Sequence, residues 1–406
     1  MTSSADKIVI GGEIEAPFLN SKDGGGKFMP IDEFRDRGEQ ELANVILAEL
    51  QNRDDNSATD PRQAPFRNAS WESYKLDHYR RWYIGSDESI AAIHPHLRGQ
   101  LLHYLPQPLH FLPSPRHTNV VCVARLDKFL GLEFKIPKCP YDIPEVYDTS
   151  MSDKERMNGE FSRNWRQEIE KLWEVVGDRL SPHAESYKFC STHVHISFDG
   201  YMRTPRDKAQ SIIMAAIYFE DAIRGLMPRF RKDSKTGDHD YIRSNLYQEQ
   251  TPQKQFDITM QEVWRRIRST QCLEDLRDLV CSVQGHRSSS YYKWNVRGLS
   301  GSTIEFRQPP PSRCAQDTID WIDFTVAFAK AATAVSHSTL DDAALNNSNP
   351  KSFHALYGVD CLGVSVRPKE LEHLKKFLDP YGLDEEFWQR RIKARDELDS
   401  FMKDVE

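Results

Sequence analysis

Four short apolar runs in this 406-residue chain each carry a pair of charged or imidazole side chains two positions apart. The pairs are Glu13/Glu15, Glu133/Lys135, His193/His195 and Glu305/Arg307, with Ile14, Phe134, Val194 and Phe306 between their members. Side chains alternate faces along a strand, so positions i and i+2 point one way and the residue between them points the other. Each run is therefore expected to be a strand of one sheet. One face of that sheet should be apolar and packed under helices; the other should bear four carboxylates, two imidazoles, Lys135 and Arg307. A solvated face also alternates, but it usually mixes Thr, Ser, Lys and Gln, whereas Glu and His dominate here. Clustered carboxylates repel one another unless cations share the site, and hard divalent cations held by carboxylate oxygens and an occasional imidazole meet that need.

The rest of the chain supplies irregularly spaced strands and helices, which favours α+β with an antiparallel sheet over a regular βαβ array. Strands are expected at 7–18, Thr118 to Ala124, Leu130 to Ile136 (closed by Pro137 and Pro140), Tyr187 to Phe198, Tyr291 to Arg297 and Ser302 to Gln308. Helices are expected at 34–52, 164–180, 316–336 and within the charged segment 366–406. A further helix should begin at Thr204-Pro205, with Thr204 as N-cap and Pro205 as first helical residue, and run towards Gly225. Residues 53–70 are polar and proline-containing and read as an exposed loop. The Gly-rich stretch Lys22 to Lys27 also reads as a loop, since it lacks the GxxxxGK[ST] spacing of a phosphate-binding loop. We expect one catalytic domain over 1–340, with a helical or loop insertion at about 30–110, and a C-terminal helical extension over 341–406 packed on it.

Charge excludes some functions. The net charge is −7 and is spread along the chain, so no nucleic-acid footprint is expected. The basic run Pro228 to Lys232 reads as a solvated helix end. No run of 18 apolar residues and no secretory leader pattern occurs, so neither a membrane span nor export is expected. Seven cysteines lie far apart without a CxxC pair, which reads as reduced thiols in a cytoplasmic protein. Neither a G-x-S-x-G elbow nor a recognisable catalytic cysteine motif is present.

Arg307, two residues after Glu305, can neutralise a transferring phosphoryl group beside metal-bound carboxylates, and Arg297 can reach the same region across the Gly298 to Gly301 turn. Arg224, Arg229, Arg231 and Arg243 are candidates for binding an acidic substrate, with ordinary surface positions as the plainer reading.

These strands resemble the amidoligase family of the glutamine synthetase/glutamate–cysteine ligase superfamily. Gly12-Glu13-Ile14-Glu15 stands where that family has a GxExE-type first strand, and Gly131-Leu132-Glu133-Phe134-Lys135 resembles its G-x-E strand before a proline. His193-Val194-His195 is similar to its HxH strand, and Thr303-Ile304-Glu305-Phe306-Arg307 to its TIEFR strand. Phe219-Glu220-Asp221 through Arg224 resembles the helix that follows HxH. Two positions depart from the pattern: Lys135 stands where a second carboxylate is common, and Ser191-Thr192 replaces a Gly-containing lead-in to HxH.

The resemblance implies a curved antiparallel half-barrel with helices on its convex face, binding ATP and two or three Mg²⁺ ions, with Mn²⁺ as an alternative, on its concave face. It implies Glu13, Glu15, Glu133, His193 and Glu305 as metal ligands. His195 would contact the ATP phosphates together with Lys135 and Arg307, and Arg307, Glu305 and Arg297 would serve catalysis. The implied reaction is ATP-dependent carboxylate–amine ligation through an acyl phosphate. The acid and amine are left open: amino acid, peptide, protein side chain or secondary-metabolite precursor. Three other readings remain at this point: an ATP-dependent phosphotransferase on the same fold, an inactive relative acting as a binding protein, and a metal-dependent hydrolase using His193 and His195.

Overall fold

The computed structural model describes residues 8–19, 66–68, 82–86, 129–141, 165–177, 187, 190–198, 204–231, 242, 244–245, 260–281, 292–296, 303–335 and 371–403. Among the described residues seven strands form one open sheet: β1 (Ile8–Leu19), β2 (Phe66–Asn68), β3 (Trp82–Ser86), β4 (Phe129–Pro140), β5 (Thr192–Phe198), β6 (Trp294–Val296) and β7 (Ile304–Phe306). Their order is β2-β3-β4-β1-β5-β7-β6. Neighbours run antiparallel except β2 and β3, which are parallel. The described helices are α1 (Trp165–Val176), α2 (Arg206–Tyr218), α3 (Glu220–Arg224), α4 (Met260–Ser269), α5 (Leu273–Val280), α6 (Ala315–Ala334), α7 (Leu371–Leu378) and α8 (Glu385–Lys403).

Strand alternation builds the core. Ile14, Val194 and Phe306, the residues between the polar pairs, all enter one hydrophobic cluster with α2 and α6. Register keeps them on one face, since Val194 pairs with Gly12 on one side and Phe306 on the other. Trp294 stacks on Phe306 at 4.4 Å between ring centroids, and Phe324 and Phe328 of α6 close over that pair at 5.7 and 5.1 Å. Each such fully buried aromatic contributes about 1.5–3 kcal/mol through apolar area removed from water. Helix α6 is buried along most of its length because α1, α2, β5, α7 and α8 all pack on it.

Helix α8 docks through charge as well as apolar contact. Phe387 stacks on Phe324 at 6.4 Å. The buried Arg391 guanidinium pairs with Asp317 and with Asp320 (3.0 Å) in the first turns of α6, and Arg390 donates to Asp320 at 2.9 Å.

Among the described residues the structure departs from the sequence expectations in several places. The supposed loop 53–70 contributes β2, and β3 also comes from the supposed insertion; both join the sheet. Strand β4 passes through Pro137 instead of stopping there. Its register with β1 shifts between Ile10 and Gly12, so Pro137 falls where the ladder is already interrupted and its missing N–H costs nothing. Strand β5 starts at Thr192, five residues later than Tyr187, whose carbonyl instead accepts the Cys190 N–H in a turn. Thr204 does not cap α2: Pro205 is the N-cap, and the buried Thr204 hydroxyl meets no partner among the described residues. The helix towards Gly225 is interrupted at Phe219, giving α2 and α3. The helix expected at 34–52, the strand Thr118 to Ala124 and the loop Lys22 to Lys27 lie outside the described residues. Among the described residues no helix is long and apolar enough to cross a membrane.

Candidate functional site

Strand pairing brings the polar partners together. Glu13 pairs with His193 across β1 and β5, His195 with Glu305 across β5 and β7, and Glu305 with Asn295 across β7 and β6. Gly11 stands opposite His195, so the β1 residue directly across from that imidazole carries no side chain. On the other flank of β1, positions 135 and 133 of β4 are the register partners of Glu13 and Glu15. Six expected site residues thus share one region: Glu13, Glu15, His193, His195, Glu305 and Arg307. The side chains of Glu133 and Lys135, and the whole of Arg297 and Arg243, lie outside the described residues.

Of the described residues on the polar face, Glu15, His193 and Glu305 are buried, and Glu13, His195 and Arg307 are half-buried. Glu305 is 0%, His193 2% and Glu15 6% exposed. His193 Nδ1 lies 3.1 Å from Glu13 Oε2, 3.6 Å from Glu15 Oε1 and 3.5 Å from Glu305 Oε1. His195 Nε2 lies 3.8 Å from Glu13 Oε1 and 3.6 Å from Glu305 Oε1. Two groups of three possible ligands result, Glu13/Glu15/His193 and Glu13/His195/Glu305, each with donor atoms within 4.8 Å of one another and with Glu13 common to both. Oxygen-rich sets with one imidazole suit Mg²⁺ or Mn²⁺ better than a thiophilic metal.

Fixed donors hold the carboxylates in place. Arg307 Nη1 donates to Glu305 Oε1 at 2.5 Å, and Asn295 Nδ2 donates to Glu305 Oε2 at 2.8 Å. Ser191 Oγ lies 2.6 Å from Glu15 Oε2 and 2.5 Å from His193 Nε2. Arg307 is itself held from behind. Its main-chain N–H donates to the Lys293 carbonyl (2.8 Å), and the buried Arg231 donates to three successive carbonyls: Arg307 (2.9 Å), Gln308 (3.2 Å) and Pro309 (3.0 Å). Burial pushes the Arg231 guanidinium down to about 9; Glu15 opposes that shift and Arg307 adds to it.

Arg231 is therefore neither a surface cation nor a substrate contact, as its run had suggested, because its donors are directed into the main chain. Its neighbour Arg229 is exposed, with its backbone N–H donating to Asp399. The sequence pattern does not assign Ser191 and Asn295 to the site, and it offers Arg231 only as a substrate-binding candidate. Asn295 was within reach of the alternation rule, since Lys293 and Asn295 also flank an apolar residue, Trp294, at i and i+2.

A family model described as "Putative amidoligase enzyme" matches residues 33–329, nearly three-quarters of the chain. The chain belongs to the amidoligase family. The matched span of this amidoligase-family protein includes His193, His195, Glu305 and Arg307; Glu13 and Glu15 precede it and join the site through the pairing of β1 with β5. No curated protein and no solved structure gave a match.

Proposed function

We propose that this amidoligase-family protein is an ATP- and Mg²⁺-dependent carboxylate–amine ligase acting through an acyl phosphate. The observation that carries the reading is the buried carboxylate–imidazole cluster with Arg307 bound to Glu305. Burying several carboxylates together is expensive, by several kcal/mol per ion, and no purely structural role of this sheet face requires it. A cation-binding role accounts for that cost, and the oxygen and imidazole donors fit the metal.

Glu13, Glu15, Glu133, His193 and Glu305 would hold Mg²⁺ or Mn²⁺, with Glu13 common to the two ligand groups. When bound, the metal supplies positive charge that offsets repulsion between a substrate carboxylate and the triphosphate. His195, Lys135, Arg297 and Arg307 would contact the phosphates, and Arg307, anchored at its main chain by Arg231, would stabilise charge on the transferring group. The substrate carboxylate oxygen attacks the γ-phosphorus of ATP and ADP leaves; the amine nitrogen then attacks the acyl carbon and phosphate leaves. No side-chain nucleophile is needed, since the acid is activated by phosphorylation and the protein's task is alignment. In this reading the sheet curves into a half-barrel with the cluster on its concave face. A cytoplasmic location accords with the free thiols of Cys190, Cys272, Cys281 and Cys314.

The test is nucleotide turnover with ATP and Mg²⁺ across pools of carboxylates and amines, with products read by mass spectrometry. An amide of mass equal to acid plus amine less water, formed with equal ADP and phosphate, supports the ligase. ADP with a phosphorylated amine and no amide would replace it with the phosphotransferase, and nucleotide binding without turnover would replace it with a binding protein.

A further inference from the structure

Ser191 stands where the family resemblance leads one to expect a glycine-containing segment, and its hydroxyl does something a glycine cannot. It lies between two members of the proposed metal site, Glu15 Oε2 at 2.6 Å and His193 Nε2 at 2.5 Å. All three residues are buried. A serine hydroxyl has a single hydrogen to donate, and an ionised carboxylate only accepts. With Glu15 ionised, that hydrogen goes to Oε2, and the short contact to His193 is satisfied only if Nε2 carries a hydrogen and donates it to the serine lone pair. The other ring nitrogen, Nδ1, then faces Glu13, Glu15 and Glu305, whose nearest oxygens lie 3.1–3.6 Å away. That nitrogen needs an electrophile between it and the carboxylates: a proton, which would donate to Glu13 at 3.1 Å, or a metal ion in its place.

We infer that Ser191 is a positioning residue that fixes His193 as an Nδ1 metal ligand and holds Glu15 with its other oxygen, Oε1, turned to the same ion. The inference rests on the metal reading above and adds to it which imidazole nitrogen binds and what orients it. The second nitrogen of a metal-binding histidine is commonly held by an outer hydrogen-bond partner, and loss of such partners weakens metal affinity by about 10–100-fold. Here the same hydroxyl would orient two ligands from two strands, β1 and β5.

The experiment uses the full chain and metal alone. Protein labelled with ¹⁵N-histidine is loaded with ¹¹³Cd²⁺, and the His193 resonances are identified by their loss in His193→Gln. The expected spectrum shows one-bond ¹¹³Cd coupling at His193 Nδ1 with a hydrogen retained on Nε2. In parallel, Mn²⁺ titrations of Ser191→Ala should show affinity reduced about tenfold or more, and Ser191→Thr, which keeps the hydroxyl, should recover most of it. Cadmium coupling at Nε2 overturns the inference, as does a folded Ser191→Ala variant that binds Mn²⁺ within twofold of the parent. Absence of Mn²⁺ and Cd²⁺ binding to the parent overturns the metal reading itself, so the two failures are distinguishable. The cadmium spectrum needs no substitution at Ser191 and stands even if Ser191→Ala does not fold.

Discussion

Replacing Arg231 with methionine tests whether the site's strand exit is held from behind. The side chain is buried and donates to the carbonyls of Arg307, Gln308 and Pro309 at 2.9, 3.2 and 3.0 Å. Hydrogen bonds from a charged group contribute about 1.5–3 kcal/mol each, but three from one guanidinium share a single desolvation cost and do not add. The carbonyls stay in place after substitution, whereas methionine relieves the burial of charge that depresses the guanidinium. The net loss should therefore sit near the lower end of the range for breaking a buried charged cluster, about 3 kcal/mol. That is roughly two orders of magnitude in the unfolding equilibrium. Urea unfolding followed by tryptophan fluorescence reads it directly, because Trp264, Trp294 and Trp321 are all buried. Exposed Arg229→Met serves as control and should change stability by less than about 0.5 kcal/mol. If Arg231→Met unfolds within that same margin of the parent, the clamp does not hold the segment and the argument for Arg307's anchorage fails.

Phe306→Asp places a charge inside the Trp294–Phe324 stack and should cost more than about 4 kcal/mol, visible as insolubility or a collapsed melting transition; a soluble variant with the parent's melt would invert the assigned faces. Glu305→Gln keeps the shape but removes a ligand charge, so the rise in melting temperature on adding Mn²⁺ should vanish; an undiminished rise would move the metal elsewhere. Nucleotide affinity measured by calorimetry should collapse in EDTA, and undiminished ATP binding there would remove the metal platform. Burial raises the Cys281 thiol from 9.0 to about 12, so iodoacetamide at pH 8 should label exposed Cys314 while sparing Cys281 in the folded protein. Because that folded value lies above the unfolded one, the thiol's contribution to stability is complete below pH 9 and fades as pH rises towards 12. Equal labelling of the two cysteines would refute the burial on which both statements rest.

The alternation of faces was legible because it needs only a period of two: Ile14, Val194 and Phe306 fall in the core and their polar neighbours on the opposite face. Burial of that polar face was not legible, since a sequence pattern distinguishes faces but not what covers them. Arg231 sits in a basic run identical in composition to a solvated helix end, and only the path of residues 307–309 gives its donors a destination. Pro137 read as a terminator because the missing N–H was counted without the register shift that excuses it. Strands β2 and β3 are three and five residues long, too short for periodicity to separate them from loop.

The pairing of Glu13 with His193 also sets a schedule for synthesis. The two residues are 180 positions apart, and at 5–20 residues per second the ribosome takes roughly 10–40 seconds to deliver the second after the first. During that interval β1, with Ile8, Val9 and Ile10 at its start, has no β5 to pair with, and Asp317 must wait a further 74 residues for Arg391. A strand that is apolar on one side and acidic on the other then lacks its β5 partner on the nascent chain, so slower growth at low temperature, or a chaperone that shields β1, should raise the yield of folded protein.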